Sequence, residues 1–485
     1  MHTRAHVFWS ALEAAASAIL AFVSAFVVAR IVGPAELGIG AAAIAPNVLL
    51  WVALNVLFGD AVVQRAGLEA RDASSAFWAS GAFGVAGAAI QIAIGWPVAS
   101  FLGDDRLIWM SAALAVPLPL VGAAGVVQGV LNRERRYKAL AGRVVLGQGA
   151  GTLLGIAGGF AGWGAWALVL QQAAISVLGA LVLLFRASWR PQFEFCFIPV
   201  REMLRVGAPL TASTLVQIGR YRLFALVIGS MAGPAALGQM HLAFRLTETV
   251  RDLVSTALWR LLLPQFSEQQ HDPPALRNAI RHFLSRSGPA LFALAGAIVL
   301  ASEPMIALLL NPAWAPAGAA AAPLALLMGW TFLQFPAGVA AITCGGASCF
   351  LHANLASTAI VVLGAVLLRP VDPLQAAWIW LGGHMVTSPY TWRAGAHRLH
   401  TSPIDLVRPG LPWFLLAACA TALAAGLPLL WPAAHGACFT LVLRFTIFII
   451  AYATGSLGLC YALPSPHVRT RARNSGPSVA GSAML

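Results

Sequence analysis

Long apolar runs recur along this chain so closely that little else fits between them. A membrane-crossing helix needs roughly 20 consecutive apolar residues. Fourteen such runs can be placed, at 7–29, 37–58, 76–102, 107–131, 144–162, 165–185, 206–230, 237–263, 288–310, 314–340, 350–368, 374–392, 411–432 and 438–462. The runs are continuous rather than alternating, which disfavours a transmembrane β-barrel. Only 10% of the 485 residues are charged and 59% are hydrophobic, whereas a soluble domain carries about 25% charged residues. A water-soluble globule is excluded. The expected fold class is an all-α polytopic membrane protein of about fourteen transmembrane helices.

Charge placement orients the helices. Lys138 is the only lysine among 30 basic residues. If the N-terminus is cytoplasmic, 21 of the 30 fall in cytoplasmic segments, including Arg143, and only Arg30, Arg106 and Arg369 fall outside. That bias follows the positive-inside rule. It predicts a multi-pass membrane protein with both termini cytoplasmic. The net charge of +13 is thereby accounted for by cytoplasmic loops, not by nucleic acid. The run from Met1 is too long for a signal-peptide core and is expected to be a retained span. The six cysteines show no C-x-x-C spacing and are expected to be buried hydrophobes.

An internal repeat divides the chain. Gly33-Pro34-Ala35-Glu36-Leu37-Gly38 recurs as Gly233-Pro234-Ala235-Ala236-Leu237-Gly238. One copy follows the first span and the other the seventh, so both occupy outer turns and the halves run parallel. The organisation expected is a six-helix lobe at 1–200, a second six-helix lobe at 201–395, two additional helices at 396–463 and a basic disordered cytoplasmic tail at 464–485. Repeats of this kind place a substrate path between the lobes. Within the fifth span, Gly147, Gly151, Gly155 and Gly159 stand four residues apart, a pattern that lets helix backbones approach closely.

The chemistry lies in charges at membrane depth. A charge near the bilayer centre costs about 2.5–3.5 kcal/mol on insertion scales, so such groups pair, snorkel or face water. Ten lie inside spans: Glu13, Arg220, Arg222, Arg245, Glu248, Arg251, Asp252, Arg260, Glu303 and Arg444. In the eighth span His241, Arg245, Glu248, Thr249, Asp252 and Thr256 share one helical stripe, which reads as the wall of a wet cavity or as an ion-pair ladder. Arg220 shares a face with Ser213 and Gln217, while Arg222 points about 200° away at the helical period. Arg260 and Arg444 are expected to snorkel, and Glu303 to be exposed. There is no Walker sequence, no H-E-x-x-H and no metal-ligand cluster, so no cofactor, no metal and no catalytic residue is expected, and the chain does not read as an enzyme.

The sequence resembles the polysaccharide transporters of the multidrug/oligosaccharidyl-lipid/polysaccharide exporter superfamily, the O-antigen and exopolysaccharide flippases. The likeness rests on Ala29-Arg30-Ile31-Val32-Gly33-Pro34-Ala35-Glu36-Leu37-Gly38, on Gly233-Pro234-Ala235-Ala236-Leu237-Gly238 and on Leu261-Leu262-Leu263-Pro264-Gln265-Phe266-Ser267. It covers roughly residues 7–290. The family often has an acid shortly before the pair here formed by Ile228-Gly229; this chain has Arg220 and Arg222 instead. The resemblance implies translocation of an undecaprenyl-diphosphate-linked oligosaccharide by two lobes that alternate access around a cationic cavity. Arg is a good bidentate phosphate partner, so Arg220, Arg222, Arg245 and Arg251 are the candidate diphosphate ligands. Glu13, Glu248 and Asp252 would hold them or carry an H⁺ or Na⁺ coupling ion. Membrane lipids, a polysaccharide polymerase and chain-length proteins are the implied partners. Two other readings stay open. A related exporter of amphiphilic cations would want acidic cavity walls. A membrane polysaccharide polymerase would want a large outer loop or an acid cluster.

Overall fold

A computed structural model describes residues 17, 19–65, 67–345, 347–427 and 437–462. Glu13 and the tail at 464–485 lie outside the described residues. Fourteen helices follow one another among those described: α1 (Ile19–Val32), α2 (Pro34–Gln64), α3 (Ala70–Leu102), α4 (Arg106–Arg133), α5 (Tyr137–Phe160), α6 (Ala165–Phe185), α7 (197–232), α8 (234–268), α9 (Pro273–Leu309), α10 (Pro312–Thr343), α11 (Ala347–Leu368), α12 (Pro373–Arg398), α13 (Leu411–Gly426) and α14 (Ala437–Ala462). The chain is thus an all-α membrane protein with the expected number of spans. Outward faces carry exposed apolar side chains, as lipid contact requires: Val85 and Trp96 on α3 and Ile449, Ile450 and Leu457 on α14 are each more than half exposed. Below, "inner" denotes the side bearing the Arg-rich connections.

Backbone chemistry sets the breaks. Gly33 stands at φ 84° between α1 and α2, and Gly233 at φ 86° between α7 and α8. Only glycine takes this region without strain. Each is followed by a proline, which opens the next helix where its missing N–H is not needed. The two repeat copies meet. A Cβ added to Gly38 would lie 1.9 Å from the Pro234 carbonyl oxygen, and one added to Gly238 would lie 2.0 Å from that of Pro34. The outer ends of α2 and α8 therefore cross backbone on backbone, each glycine admitting the other chain. On the inner side α7 closes against α2, where a Cβ on Gly207 would fall 1.8 Å from the Leu57 oxygen.

The glycine stripe of α5 packs against α6. A Cβ on Gly147 would sit 3.0 Å from Gly179 Cα, and one on Gly151 2.9 Å from the Gln171 oxygen. Tryptophans and phenylalanines fill the other half: Phe224, Phe244, Trp314 and Trp380 form one buried cluster across α7, α8, α10 and α12. Helices α13 and α14 pack on α9. Arg444 of α14 has a partner on α9. Its Nη1 donates to Glu303 Oε2 of α9 at 3.0 Å, because a partner at the same depth removes the cost of an unpaired charge.

An ionic clasp ties the outer ends of the N-terminal helices. Arg106 binds Glu36 bidentately, at 3.1 and 2.9 Å, and Asp104 Oδ2 at 2.8 Å. Glu36 also accepts from the Ala165 backbone N–H at 2.8 Å, at the start of α6. The Arg106 guanidinium holds the Asp104 carboxyl below its usual range, against a smaller opposing effect of burial. On the inner side Arg65 joins Asp72 at 3.0 Å and Glu202 at 2.8 Å, fastening α7 to the α2–α3 turn.

Candidate functional site

Two cavities flank the α7–α8 pair at mid-depth. Counting 1.5 Å per residue from the Gly233 break, Arg222 stands about 16 Å and Arg245 about 18 Å from the outer turn, so the two lie at one level. They line a cavity of about 370 Å³ on the side of the N-terminal helices, together with His241, Ser24 of α1, Gln148 of α5 and Gln171 of α6. Arg220 lies on the opposite side of α7. With Glu248, Arg251 and Asp252 it lines a cavity of about 260 Å³ formed with α10, α11 and α12. The 200° offset between Arg220 and Arg222 is realised without any break in α7 near Gly219. Each arginine has its own chamber.

Tyr221 forms the partition. Its hydroxyl shares a hydrogen bond of 2.8 Å with His241 Nδ1, and its ring packs on Phe244 with centroids 4.5 Å apart. The stripe of α8 is thereby divided. His241 and Arg245 face the first cavity, Glu248 and Asp252 the second. Sequence periodicity alone makes them one face; the supercoiled contact with α7 and the bulk of Tyr221 split it.

The arginines differ in their partners. Arg251 is committed: it pairs with Glu248 one turn earlier and with the adjacent Asp252 at 2.9 Å. Arg220 Nη1 reaches Asn354 Oδ1 and Ser357 Oγ, both at 3.4 Å, and its guanidinium lies 5.5 Å from the Trp380 ring. Arg222 stacks 5.2 Å above the Tyr221 ring. Within the described residues neither Arg220, Arg222 nor Arg245 forms a salt bridge to a carboxylate. The Nε atoms of Arg220 and Arg222 are buried and unpartnered. Arg245 is open to its cavity. Three cations at membrane depth thus retain donors for an anion supplied from elsewhere, since a desolvated guanidinium without a counter-charge is costly to hold.

The second cavity has another character. Gln334, Asn354, Ser357 and Thr387 bring amides and hydroxyls, and Trp259, Phe335 and Trp380 bring ring faces. Sequence reading missed these residues because each is unremarkable within its apolar run; only their convergence from four helices marks them. The described residues hold no group of three or more His, Cys, Asp or Glu able to bind a metal.

Over 385 residues the chain is 26% identical to the succinoglycan biosynthesis transport protein ExoT of Rhizobium meliloti (strain 1021), covering 78% of this chain and 76% of that one. It is 21% identical over 316 residues to the lipopolysaccharide biosynthesis protein WzxC of Escherichia coli (strain K12), covering 63% of each. Its fold matches the lipid II flippase MurJ in an inward closed conformation with a TM-score of 0.75 and 13% identity, over 93% of this chain and 98% of that one; at that identity the likeness is one of fold. The family model for polysaccharide biosynthesis proteins matches residues 27–319, more than half of the chain. The chain therefore belongs to the polysaccharide biosynthesis protein family.

Proposed function

We propose that this protein is a flippase that carries an undecaprenyl-diphosphate-linked oligosaccharide across a bacterial inner membrane for surface polysaccharide synthesis. The observation that carries the reading is the pair Arg222 and Arg245, at one depth in a shared cavity and without a carboxylate partner among the described residues. A diphosphate has the charge and the oxygen geometry to satisfy them. The names of ExoT and WzxC, one a transport protein and both tied to polysaccharide biosynthesis, support the same direction.

In this reading the diphosphate sits at Arg222 and Arg245. The first sugars extend past Tyr221 toward the amides, hydroxyls and rings around Arg220, and the polyprenyl tail stays in lipid. Glu248 and Asp252 hold Arg251 and keep it from competing for the phosphate. The halves at 1–200 and 201–395 rock about the α2–α8 and α2–α7 crossings, with 396–463 as an appendage on α9. Both termini lie on the inner side. Because the cavity walls are cationic, an exporter of amphiphilic cations is the poorer fit.

Replacing Arg245 with Gln tests the reading. Surface polysaccharide should fall to the level of a null strain while the protein accumulates normally, and the lipid-linked precursor should build up on the inner leaflet. Undiminished polysaccharide in that variant would overturn it.

A further inference from the structure

A third cavity, of about 200 Å³, lies inside the N-terminal helices between α2, α4, α5 and α6. Its polar groups are Ser17, Asn55, Arg143, Gln148 and Ser176. Arg143, which the sequence assigns to a cytoplasmic turn, is built into α5 about 9 Å beyond its first residue. The helix opens there into a π turn over Val144–Gln148, a distortion frequent at functional sites. The Arg143 side chain passes α6 at Gly179, where a Cβ would stand 3.6 Å from Arg143 Cγ. The neutral amide of Gln128 orients the guanidinium, Nη1 donating to Oε1 at 2.6 Å.

This inner cavity abuts the one that holds Arg222 and Arg245. Trp51, Gln148 and Ile175 line both. Between them Gln148 is latched to Ser17, ahead of α1: Ser17 Oγ donates to Gln148 Oε1 at 3.1 Å, and Gln148 Nε2 donates to the Ser17 backbone oxygen at 3.1 Å. Both bonds join neutral groups, so opening this threshold leaves no charge unpaired. The arrangement is a staircase of guanidinium groups from the inner side toward mid-depth, with a releasable amide between steps.

We infer that the cavity at Arg143 is a receiving site for a diphosphate-bearing headgroup, which crosses the Gln148–Ser17 threshold to reach Arg222 and Arg245. The inference rests on the flippase reading and adds a site to it. Inward of the main site, a second cation lets the anion leave inner-leaflet water in steps instead of in one desolvation. The ligand chemistry is a diphosphate, whether borne by a lipid or free.

The test uses the full chain in nanodiscs of zwitterionic lipid, with its native cysteines replaced by serine. Two reporters are introduced separately: Ser176→Cys in the inner cavity and Gln172→Cys in the mid-depth cavity. Alkylation by a maleimide is timed with and without a prenyl diphosphate. With ligand at about ten times its Kd, both reporters should react roughly tenfold more slowly. Adding Arg143→Gln should abolish protection at Ser176→Cys and leave it at Gln172→Cys, which also shows that the variant is folded. Arg143→Lys should restore part of the loss. Protection by inorganic pyrophosphate assigns recognition to the diphosphate itself, and protection by the prenyl form alone assigns it to a lipid-borne diphosphate; either supports the site. Unchanged protection at Ser176→Cys in Arg143→Gln would overturn the inference, as would equal protection by phosphatidylglycerol. Failure of the prenyl diphosphate to protect either reporter with all arginines intact would instead overturn the flippase reading.

Discussion

Four arginines within 32 positions of each other do different work because their partners differ. Arg251 is neutralised twice, by Glu248 and Asp252; among the described residues Arg222 and Arg245 have no such partner. Removing Arg251 should therefore injure stability more than recognition. Arg251→Met leaves two carboxylates side by side, and breaking a buried ion pair costs about 3–5 kcal/mol. With Asp252 66% exposed and the other two side chains about a quarter exposed, solvent screening reduces this to about 1–3 kcal/mol. The melting temperature should drop by several degrees in Arg251→Met and recover in Glu248→Gln/Arg251→Met/Asp252→Asn. A drop that persists in the triple variant would mean that packing, not charge, holds this turn of α8. Replacing Arg222 with Gln should do the reverse, leaving the stability within about 0.5 kcal/mol of the original while abolishing transport. Neither outcome follows from the sequence. Helical periodicity separates Arg220 from Arg222, but it carries no information on which arginine finds a carboxylate.

At the scale of elements, much was legible and the exceptions have physical causes. Fourteen spans follow from hydropathy, and the glycines of α5 lie against α6 as their spacing implies. Helix edges were less clear. Arg143 and Glu202 belong to helices that extend beyond their apolar runs, where such end charges find partners, as Glu202 finds Arg65 just past the end of α2. The π turn in α5 was invisible, since its cause is tertiary: Gly147 touching Gly179 and Gln148 reaching Ser17. The outer clasp was equally hidden, as Glu36 and Arg106 are 70 residues apart. It yields a pH prediction. Arg106 depresses the Asp104 carboxyl, so the stabilisation it gives is fully present above the ordinary value of 3.8 and is lost as pH falls through the lower folded value. The stability difference between the protein and Asp104→Asn should be constant at neutral pH, begin to shrink near pH 3.8 and vanish once pH is below the lower folded value. A difference that survives there would show that it does not come from the Asp104 charge.

The contacts that join the halves on the two sides of the mid-depth cavities differ in kind. On the inner side Gly207 packs against Leu57 and Glu202 pairs with Arg65, joining α7 to α2 and the turn after it; on the outer side Gly38 and Gly238 cross reciprocally, each backbone in the gap left by the other's missing side chain. Such a crossing has no compressible atoms, so it is either fully made or absent, which is the property a two-state device needs. If the halves alternate access, added methyl groups at the crossing penalise only the state in which the outer ends touch. Gly38→Ala/Gly238→Ala forces contacts near 2 Å that must be relieved by separating α2 from α8. At about 1–3 kcal/mol for overpacking, the ratio of outer-open to outer-closed molecules should rise about 5- to 150-fold. Spin labels at the exposed outer positions Asp105 and Asn311, one in each half, read this directly. The double variant should shift their distance distribution to longer values, and transport should slow because return to the inner-facing state is penalised. A single alanine should give an intermediate shift, as the two clashes are symmetric. An unmoved distribution, in a variant that still folds, would mean that the repeat glycines fix a static joint and that the halves move about some other contact.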